Sequence, residues 1–380
     1  MRIGRAGWTL IGIWAFAILL AMPALQHWKA PAPATGLRLA VTLVALYAIA
    51  GGICWVIYIR ERSGLGRRRA GMLVFLTILL TFLTNHIHRF SVDDSSSYFG
   101  YPAVQWQVML QDKAVELDPG VRPHSYRFLP NSAVRWVEMT GVGFAQSRDF
   151  YRLVTGLLLF YALFRFARLY CEPAASFVAM LLAGLIYPVS YEYYAGQLTD
   201  PLSHLSFILA FIFLETGAFG LLVAAIGIGS MAKESVLALV VYYAIFKRGE
   251  PRHLIKSATL FAVAGVSFLG ARLLVLGGSW MRYDQISGVT LKDFPLNWHD
   301  PLWPGVFILT ACAFTPVLVL YWKETPLELK RLALFLLPVL AVTNMVISWM
   351  RESRNFMPVV FVFAVIAARA IVPVGAPELP

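Results

Sequence analysis

Two aspartates stand side by side after an apolar segment, at Asp93 and Asp94. Adjacent carboxylates can act as a general base or bind a divalent cation. Three serines follow them, and aspartate–serine runs also form turns that cap the next helix. His86 and His88 precede the pair, but their spacing does not match a zinc ligand set. The pair is therefore a candidate catalytic or metal site, with a structural turn as the alternative.

Two further segments place cations among apolar residues. Arg127 follows Tyr126 in an aromatic stretch that ends at a proline. A guanidinium can bind a lipid phosphate through two hydrogen bonds, and the alternatives are snorkelling or an ion pair with a loop carboxylate. Lys233 and Glu234 separate two apolar runs. Ionisable groups in such a place must pair or line a polar cavity, which favours a functional interpretation over a tight turn.

A third candidate group lies at the start of an apolar run. Asp200 precedes a proline, which is typical of a capped helix start. His204 lies four residues later and therefore on the same helix face. Because a histidine within a spanning segment is rare, we treat it as a functional candidate.

A late polar connection carries two arginines, Arg351 and Arg354. We expect this connection outside the cytoplasm, against the usual preference of basic residues, so the arginines suit an anionic partner. Glu352 between them is the alternative partner for part of that charge. Arg272, inside an earlier apolar run, is expected to join the same cavity.

The composition indicates that membrane-spanning helices hold these residues. Hydrophobic residues make up 59% of the 380 residues and charged residues 14%, against roughly 45–50% and 25% in globular proteins. The mean hydropathy is +0.67. These values exclude a soluble enzyme with a single anchor. Because the net charge of +11 falls mainly on short loops that we assign to the cytoplasm, the positive-inside rule explains it without nucleic acid as a partner.

Apolar runs predict an all-α integral membrane fold, with about twelve transmembrane helices in one polytopic domain over residues 1–380. The predicted helices begin near Trp8, Leu37, Gly71, Phe150, Ala174, Pro201, Ala218, Ser235, Ala258, Leu302, Arg331 and Asn355. The first follows a basic N-terminus without a clear cleavage site, so we expect it to be retained. The two runs that begin at Ala218 and Ser235 are short, and one bent helix is the alternative.

The longest polar segments are expected on the extracytoplasmic side. Residues 90–149 and 277–300 form the two large loops there if both termini are cytoplasmic. In the first loop, Ala103–Leu117 and Asn131–Phe144 carry apolar residues at near-helical spacing, as interfacial juxtamembrane helices do. Long loops are usually functional or disordered, and the first is not low-complexity, so we expect the functional surface at the outer membrane boundary.

The order of these motifs resembles the GT-C superfamily, polytopic membrane glycosyltransferases that use polyprenyl-phosphate sugars. Protein O-mannosyltransferases and bacterial lipid A aminoarabinose transferases belong to it, and this chain is most similar in character to its bacterial integral membrane branch. The resemblance extends from about Asn85 to Pro358. It rests on five motifs in order: Asp93-Asp94, Tyr126-Arg127-Phe128-Leu129-Pro130, Thr199-Asp200-Pro201-Leu202, Ala232-Lys233-Glu234 and Arg351-Glu352-Ser353-Arg354-Asn355-Phe356-Met357-Pro358.

The resemblance implies a role for each candidate residue. Asp94 or Asp93 would deprotonate the acceptor hydroxyl, or would orient a divalent cation in metal-dependent members. The basic residues would hold the donor phosphate as leaving group: Arg127, Lys233, Arg351 and Arg354. The sugar and acceptor pocket would be lined by Tyr126, Asp200, His204 and Glu234.

The implied function is transfer of a hexose or pentose from a polyprenyl-phosphate-linked donor to a lipid, glycan or protein acceptor. The implied place is the extracytoplasmic face of a bacterial inner membrane. The motifs require no cofactor with certainty, and a divalent cation is the candidate.

A transporter or flippase for a lipid-linked or anionic substrate is the alternative from another class. Lys233, Glu234 and His204 would also suit a relay at mid-depth in the membrane. Against it, no internal repeat is visible, and the ionisable groups are expected at the outer face. A non-catalytic assembly subunit would leave the external arginines unexplained. No nucleotide-binding or hydrolase motif occurs in a supporting context, which excludes ATP hydrolysis.

Overall fold

The computed structural model describes residues 32–88, 97–98, 101–118, 124–188, 198–276, 298–299, 313–347, 350 and 352–372. Several predicted features lie outside these residues: the helices that begin near Trp8 and Leu302, nearly all of the 277–300 loop, and Asp93, Asp94 and Arg351. The described part is helical except for one short antiparallel hairpin, in which Ser97–Tyr98 (β1) pairs with Tyr101–Pro102 (β2).

The α-helices of the described part follow in chain order. They are α1 (Gly36–Leu65), α2 (Arg67–His88), α3 (Ala103–Val115), α4 (Phe128–Glu138), α5 (Phe144–Ala167), α6 (Pro173–Ile186), α7 (Thr199–Thr216), α8 (Phe219–Ala232), α9 (Ala238–Phe246), α10 (His253–Leu276), α11 (Thr315–Tyr321), α12 (Leu327–Ile347) and α13 (Met357–Ile371). Short 3-10 turns are formed by His124–Tyr126, Glu234–Leu237 and Ser353–Phe356.

Six of these segments are long and apolar enough to cross a membrane, which indicates an integral membrane protein. They are Gly36–Leu65, Arg67–Ile87, Phe144–Ala167, His253–Leu273, Leu327–Val346 and Ser353–Ile371. The prediction of about twelve spans is not confirmed, because α6, α8 and the segment Glu234–Phe246 are apolar but shorter. With 14 residues, α8 rises about 21 Å, against a hydrocarbon core of about 30 Å.

The two short runs that follow Ala218 are separate helices. Lys233 lies between α8 and the next 3-10 turn with extended backbone, φ −161° and ψ 131°. Its N–H still donates to the carbonyl of Gly229 at 2.7 Å, and the helix ends there. The chain therefore has a helix break where the sequence places Lys233 and Glu234 between apolar runs.

The described residues divide into two compact units. The first comprises those within Met1–Tyr47, Ser96–Arg152 and Gln197–Thr290, and the second those within Ala48–Ser95, Leu153–Gly196 and Leu291–Pro380. In the first unit α8 packs between α7 and α10, and α4 packs against both α7 and α8. The approach of α7 is close at Gly229, where an added Cβ would lie 2.8 Å from the Ser206 Cβ.

The predicted loop helices are present in the first unit with shifted bounds. The helix expected over Ala103–Leu117 is α3, which ends two residues earlier. The one expected over Asn131–Phe144 is α4, which begins at Phe128 and ends at Glu138. It ends early because the chain turns through Gly141, whose φ of +95° lies in the left-handed region that suits glycine.

The second unit is built on α13, which is buried along most of its length. It packs against α6 and α12. On its other side α6 approaches α2 closely, since a Cβ on Gly184 would lie 2.7 Å from the Leu80 Cδ2. Arg369 near the end of α13 donates to the Tyr170 carbonyl at 2.6 Å, which ties the C-terminal helix to the turn before α6.

Candidate functional site

The ionisable residues predicted for function converge in the first unit. Five of them come from four separate segments: the entry to α4, the first turn of α7, the break after α8, and α10. We call this set the charge cluster, and it consists of Arg127, Asp200, Lys233, Glu234 and Arg272.

Arg127 and Glu234 are joined by two hydrogen bonds in the charge cluster. The Arg127 Nε donates to one carboxylate oxygen of Glu234 at 2.8 Å, and its Nη2 donates to the other at 2.8 Å. Two parallel N–H···O bonds of this kind fix both side chains in one plane. Arg127 stands at the N-terminal cap of α4, where its carbonyl accepts from the Asn131 side chain at 3.1 Å. The backbone of Arg127 is therefore fixed by the helix start, and its guanidinium is held by the Glu234 carboxylate.

Arg272 approaches the same carboxylate from α10. Its Nη2 lies 4.0 Å from the Glu234 Oε1, and its side chain is only 3% exposed. The guanidinium carbon lies 4.4 Å from the centre of the Tyr126 ring and 3.5 Å from that of Phe268. Two aromatic faces stabilise a cation where water is scarce. Glu234 therefore has a second cation within ion-pair distance.

Lys233 and Asp200 form a second, deeper ion pair. The Lys233 Nζ donates to the Asp200 Oδ1 at 2.7 Å, and the Asp200 side chain is fully buried. The ammonium follows the C-terminal end of α8, and the carboxylate is in the first turn of α7. Each charge is thereby placed at the helix end of opposite partial charge.

The charge cluster holds one more cation than carboxylates. Removing one partner of a buried pair leaves a charge uncompensated and costs about 3–5 kcal/mol. The break at Lys233 and the packing of α7 against α8 bring these side chains together, and the cost of separating the ion pairs then holds them in place. An excess positive charge in a largely buried setting is suited to an anionic ligand.

The structure corrects the expected local role of Asp200. The cap residue of α7 is Leu198, which makes no side-chain capping hydrogen bond, and Asp200 lies inside the first turn of the helix. Its carboxylate instead pairs with Lys233, which was expected to pair with Glu234 if it served only a hairpin. Asp200 therefore connects two helices. His204, one turn further along α7, is also buried, as a position on the same face requires.

Arg354 lies in the second unit and has an acidic partner. Its Nη2 is 3.0 Å from the Glu352 carboxylate, to which Asn355 also donates at 3.0 Å. All three side chains are buried. This is the alternative pairing that the sequence suggested, and the phosphate-binding role of Arg354 stays a prediction. The roles of Asp93, Asp94 and Arg351 also stay predictions, because these residues lie outside the described part.

The sequence did not predict which residues of the charge cluster pair with one another. It did not predict that Arg272 contacts Tyr126 and approaches Glu234, and the expectation that Arg272 shares a cavity with Arg351 stays a prediction, because Arg351 lies outside the described part. An arginine deep in an apolar run was the available signal. Within the described ranges, no group of three or more histidine, cysteine, aspartate or glutamate side chains could hold a metal ion.

Comparisons with protein-family models, with curated proteins and with solved structures find no significant match to this chain.

Proposed function

We propose that this protein is a polytopic membrane glycosyltransferase. It would transfer a sugar from a polyprenyl-phosphate-linked donor to a lipid, glycan or protein acceptor. The observation that carries the proposal is the charge cluster, in which Arg127, Lys233 and Arg272 outnumber two carboxylates. Guanidinium and ammonium groups are the usual protein ligands of phosphate. The apolar helices around them are suited to a prenyl chain.

The proposed reaction needs charge stabilisation on the phosphate and a base for the acceptor. The acceptor oxygen attacks the anomeric carbon, the bond from that carbon to the phosphate oxygen breaks, and the phosphate leaves with the electron pair. Arg127, Lys233 and Arg272 would stabilise the charge that develops on the leaving phosphate. Asp94 or Asp93 would accept the acceptor proton, as the GT-C resemblance implies.

Glu234 and Asp200 have a supporting part in this proposal. They keep the three cations aligned without ligand, and a bound phosphate would compete with them for the same donors. Tyr126 holds Arg272 through its ring and, with His204, is proposed to line the sugar pocket. Two buried hydroxyls next to these residues, Ser125 and Ser203, have no hydrogen-bond partner among the described residues, which supports a polar ligand nearby.

A transporter or flippase remains the second candidate, and the helix break at Lys233 favours it. Substrate sites of many transporters are built where a membrane helix is interrupted. The two proposals differ in what happens to the donor. A transferase cleaves the sugar–phosphate bond, whereas a flippase moves the intact lipid across the bilayer.

The test uses the full chain in nanodiscs, where both leaflets face one compartment and transport has no readout. The probe is undecaprenyl phosphate bearing a radiolabelled pentose or hexose, with a cell-envelope extract as acceptor source. A transferase releases undecaprenyl phosphate and moves the label to the acceptor fraction. Intact donor in nanodiscs, together with transbilayer movement of the same probe in proteoliposomes, would support the flippase instead.

The base is tested by Asp94→Asn in the same assay. The substitution keeps size but removes basicity, so transfer should fall by roughly 10²–10⁴-fold if this carboxylate is the base. Asp93→Asn is the matched control. Near-normal transfer by both variants would return the pair to a turn-forming role.

We also propose that the site faces the extracytoplasmic side of a bacterial inner membrane, with both termini in the cytoplasm. The support is the distribution of arginine and lysine along the chain. Ser96→Cys should react with an impermeant thiol reagent in cells with a permeabilised outer membrane. Labelling of this cysteine only after lysis would invert the topology.

A further inference from the structure

A strongly basic turn joins α1 and α2 in the second unit. Five arginines lie within ten residues, and we call them the arginine turn: Arg60, Arg62, Arg67, Arg68 and Arg69. Gly66 makes the turn with a φ of +79°. The first turn of α2 contains no acidic residue, so three cations stand where the helix dipole is itself positive. Cations in that position are unfavourable without an anion.

The carboxylate of this segment is turned inward. Glu61 is 5% exposed and accepts from the Tyr161 hydroxyl at 2.6 Å and from the Arg165 Nη1 at 2.8 Å, both on α5. It is therefore already neutralised and does not offset the outer arginines. The side chain of Arg165 is itself 43% exposed and adds a sixth guanidinium beside the turn.

Four arginines of the turn are outside the ion pairs that join described residues. Arg60, Arg62, Arg67 and Arg68 form no ion pair with any residue that the structure describes. The positive-inside rule accounts for basic residues at such a turn, but lysine satisfies it equally well. All the basic residues of the turn are arginine, whose planar guanidinium binds phosphate oxygens in pairs.

The surface next to the turn is apolar and aromatic. Trp55 on α1 is 63% exposed and stacks on Tyr58 at 5.8 Å between ring centres. On α2, Met72 and Phe75 are also exposed. Exposed tryptophan and tyrosine are typical of the level of lipid headgroups. We therefore expect the arginines at headgroup level, with the exposed apolar side chains facing lipid.

We propose that the arginine turn and Arg165 bind an anionic phospholipid. The guanidinium groups would hold the phosphodiester of the headgroup, and Trp55, Met72 and Phe75 would contact its acyl chains. The buried Glu61 positions Arg165 for this contact through their ion pair. Clusters of basic residues beside a transmembrane helix recognise anionic lipids by this combination of charge and depth. The proposal does not depend on the glycosyltransferase function.

The test measures which lipids stay with the purified full-length protein. The protein is exchanged into mixed micelles with equal amounts of phosphatidylglycerol and phosphatidylcholine of the same chain length, and retained lipid is counted by native mass spectrometry. Wild type should retain phosphatidylglycerol preferentially. Equal retention of the two lipids would overturn the proposal without any variant. Loss of the preference when inorganic phosphate is added would assign the site to free phosphate rather than lipid, and would also overturn it.

Variants then locate the site. The triple change Arg62→Gln, Arg67→Gln, Arg68→Gln should lower phosphatidylglycerol retention by about tenfold or more. The same three positions changed to lysine keep the charge and should recover only part of the retention. Arg248→Gln with Arg252→Gln changes another exposed basic turn and should have no effect. Full retention by the lysine variant, or an equal loss in the control, would mean unspecific charge attraction and would contradict the site.

Discussion

Two arginines that were predicted to bind phosphate, Arg127 and Arg354, each pair with a carboxylate, and the two pairs are built differently. Arg127 pairs with Glu234 across 107 residues, and Arg272 approaches the same carboxylate. Arg354 pairs with Glu352, two residues away in a single turn of the other unit, where Asn355 adds a hydrogen bond. The first arrangement brings two guanidinium groups to one carboxylate. The second is a local, balanced pair.

This difference indicates where a ligand is expected. Among the described contacts of Arg354, one cation lies against one carboxylate, so the two charges compensate each other. A cluster with an excess cation is more stable with an anion bound. We therefore expect variants of the two regions to respond differently to charge removal, and the predictions below are ordered from the largest expected effect.

The largest effect is expected for Lys233→Met, which keeps the apolar stem but removes the ammonium. Donor use should weaken by about 2–4 kcal/mol, the scale for losing one preorganised donor to a developing charge. Lys233→Arg should recover only part of the donor use, because a planar guanidinium then stands in place of a compact ammonium. Donor consumption in nanodiscs is the measurement.

The double variant Lys233→Met with Asp200→Asn separates structure from binding. It removes both charges of the buried pair, so the protein should regain most of the stability that Lys233→Met loses. Donor use should stay low. Recovery of donor use together with stability would mean that Lys233 serves only to neutralise Asp200.

A smaller effect on activity is expected when a single and a double variant are made in the same way at Arg354 and Glu352. Arg354→Met alone leaves Glu352 buried and unpaired, at a cost of about 3–5 kcal/mol of stability. Adding Glu352→Gln should restore both stability and donor use if the pair is purely structural. A persistent loss of donor use in this folded double variant would support the phosphate-binding role predicted for Arg354 and would remove the contrast between the two regions.

The smallest effect is expected at the C-terminal end of α4, the helix that begins directly after Arg127. Burial raises the pKa of Glu138 at the end of α4, although Arg135 and the Gln111 amide partly offset it. The folded state therefore holds this proton more tightly than the unfolded state. The contribution to stability is present below the ordinary carboxylate pKa and is lost as pH rises through the raised pKa.

Glu138→Gln should remove this part of the pH dependence. Thermal unfolding across the acid range, with wild type as reference, is the measurement. An unchanged pH profile would show that Glu138 is not protonated more readily in the folded protein. Donor use should be unaffected, because Glu138 does not contact the charge cluster.

The sequence was sufficient to locate the ionisable residues of the site but not their partners. Lys233 and Glu234 could be recognised because charges between apolar runs need compensation. Their partners Asp200 and Arg127 lie 33 and 107 residues away. Which carboxylate pairs with which cation depends on how α4, α7 and α8 pack. A single sequence carries no signal for such long-range pairing.

The composition predicted a helical membrane fold, but the sequence did not predict how many of the helices are long enough to cross a membrane. Apolar runs mark helices whether these cross the whole membrane or end inside the protein. The runs that become α8 and α9 are as apolar as the longer candidate spans but are divided at Lys233. The end of α4 was misplaced because a turn through Gly141 depends on a backbone conformation that periodicity does not report.

The central claim is that the charge cluster binds the phosphate of a lipid-linked donor. The most direct test is equilibrium binding of radiolabelled undecaprenyl phosphate to the full chain in nanodiscs, comparing wild type with Arg272→Met. Arg331→Gln is the matched control, since Arg331 forms an ordinary ion pair with Glu328 at 2.8 Å. The account predicts about tenfold or more weaker binding by Arg272→Met and unchanged binding by the control. Equal affinity of wild type and Arg272→Met, with both proteins folded, would contradict it.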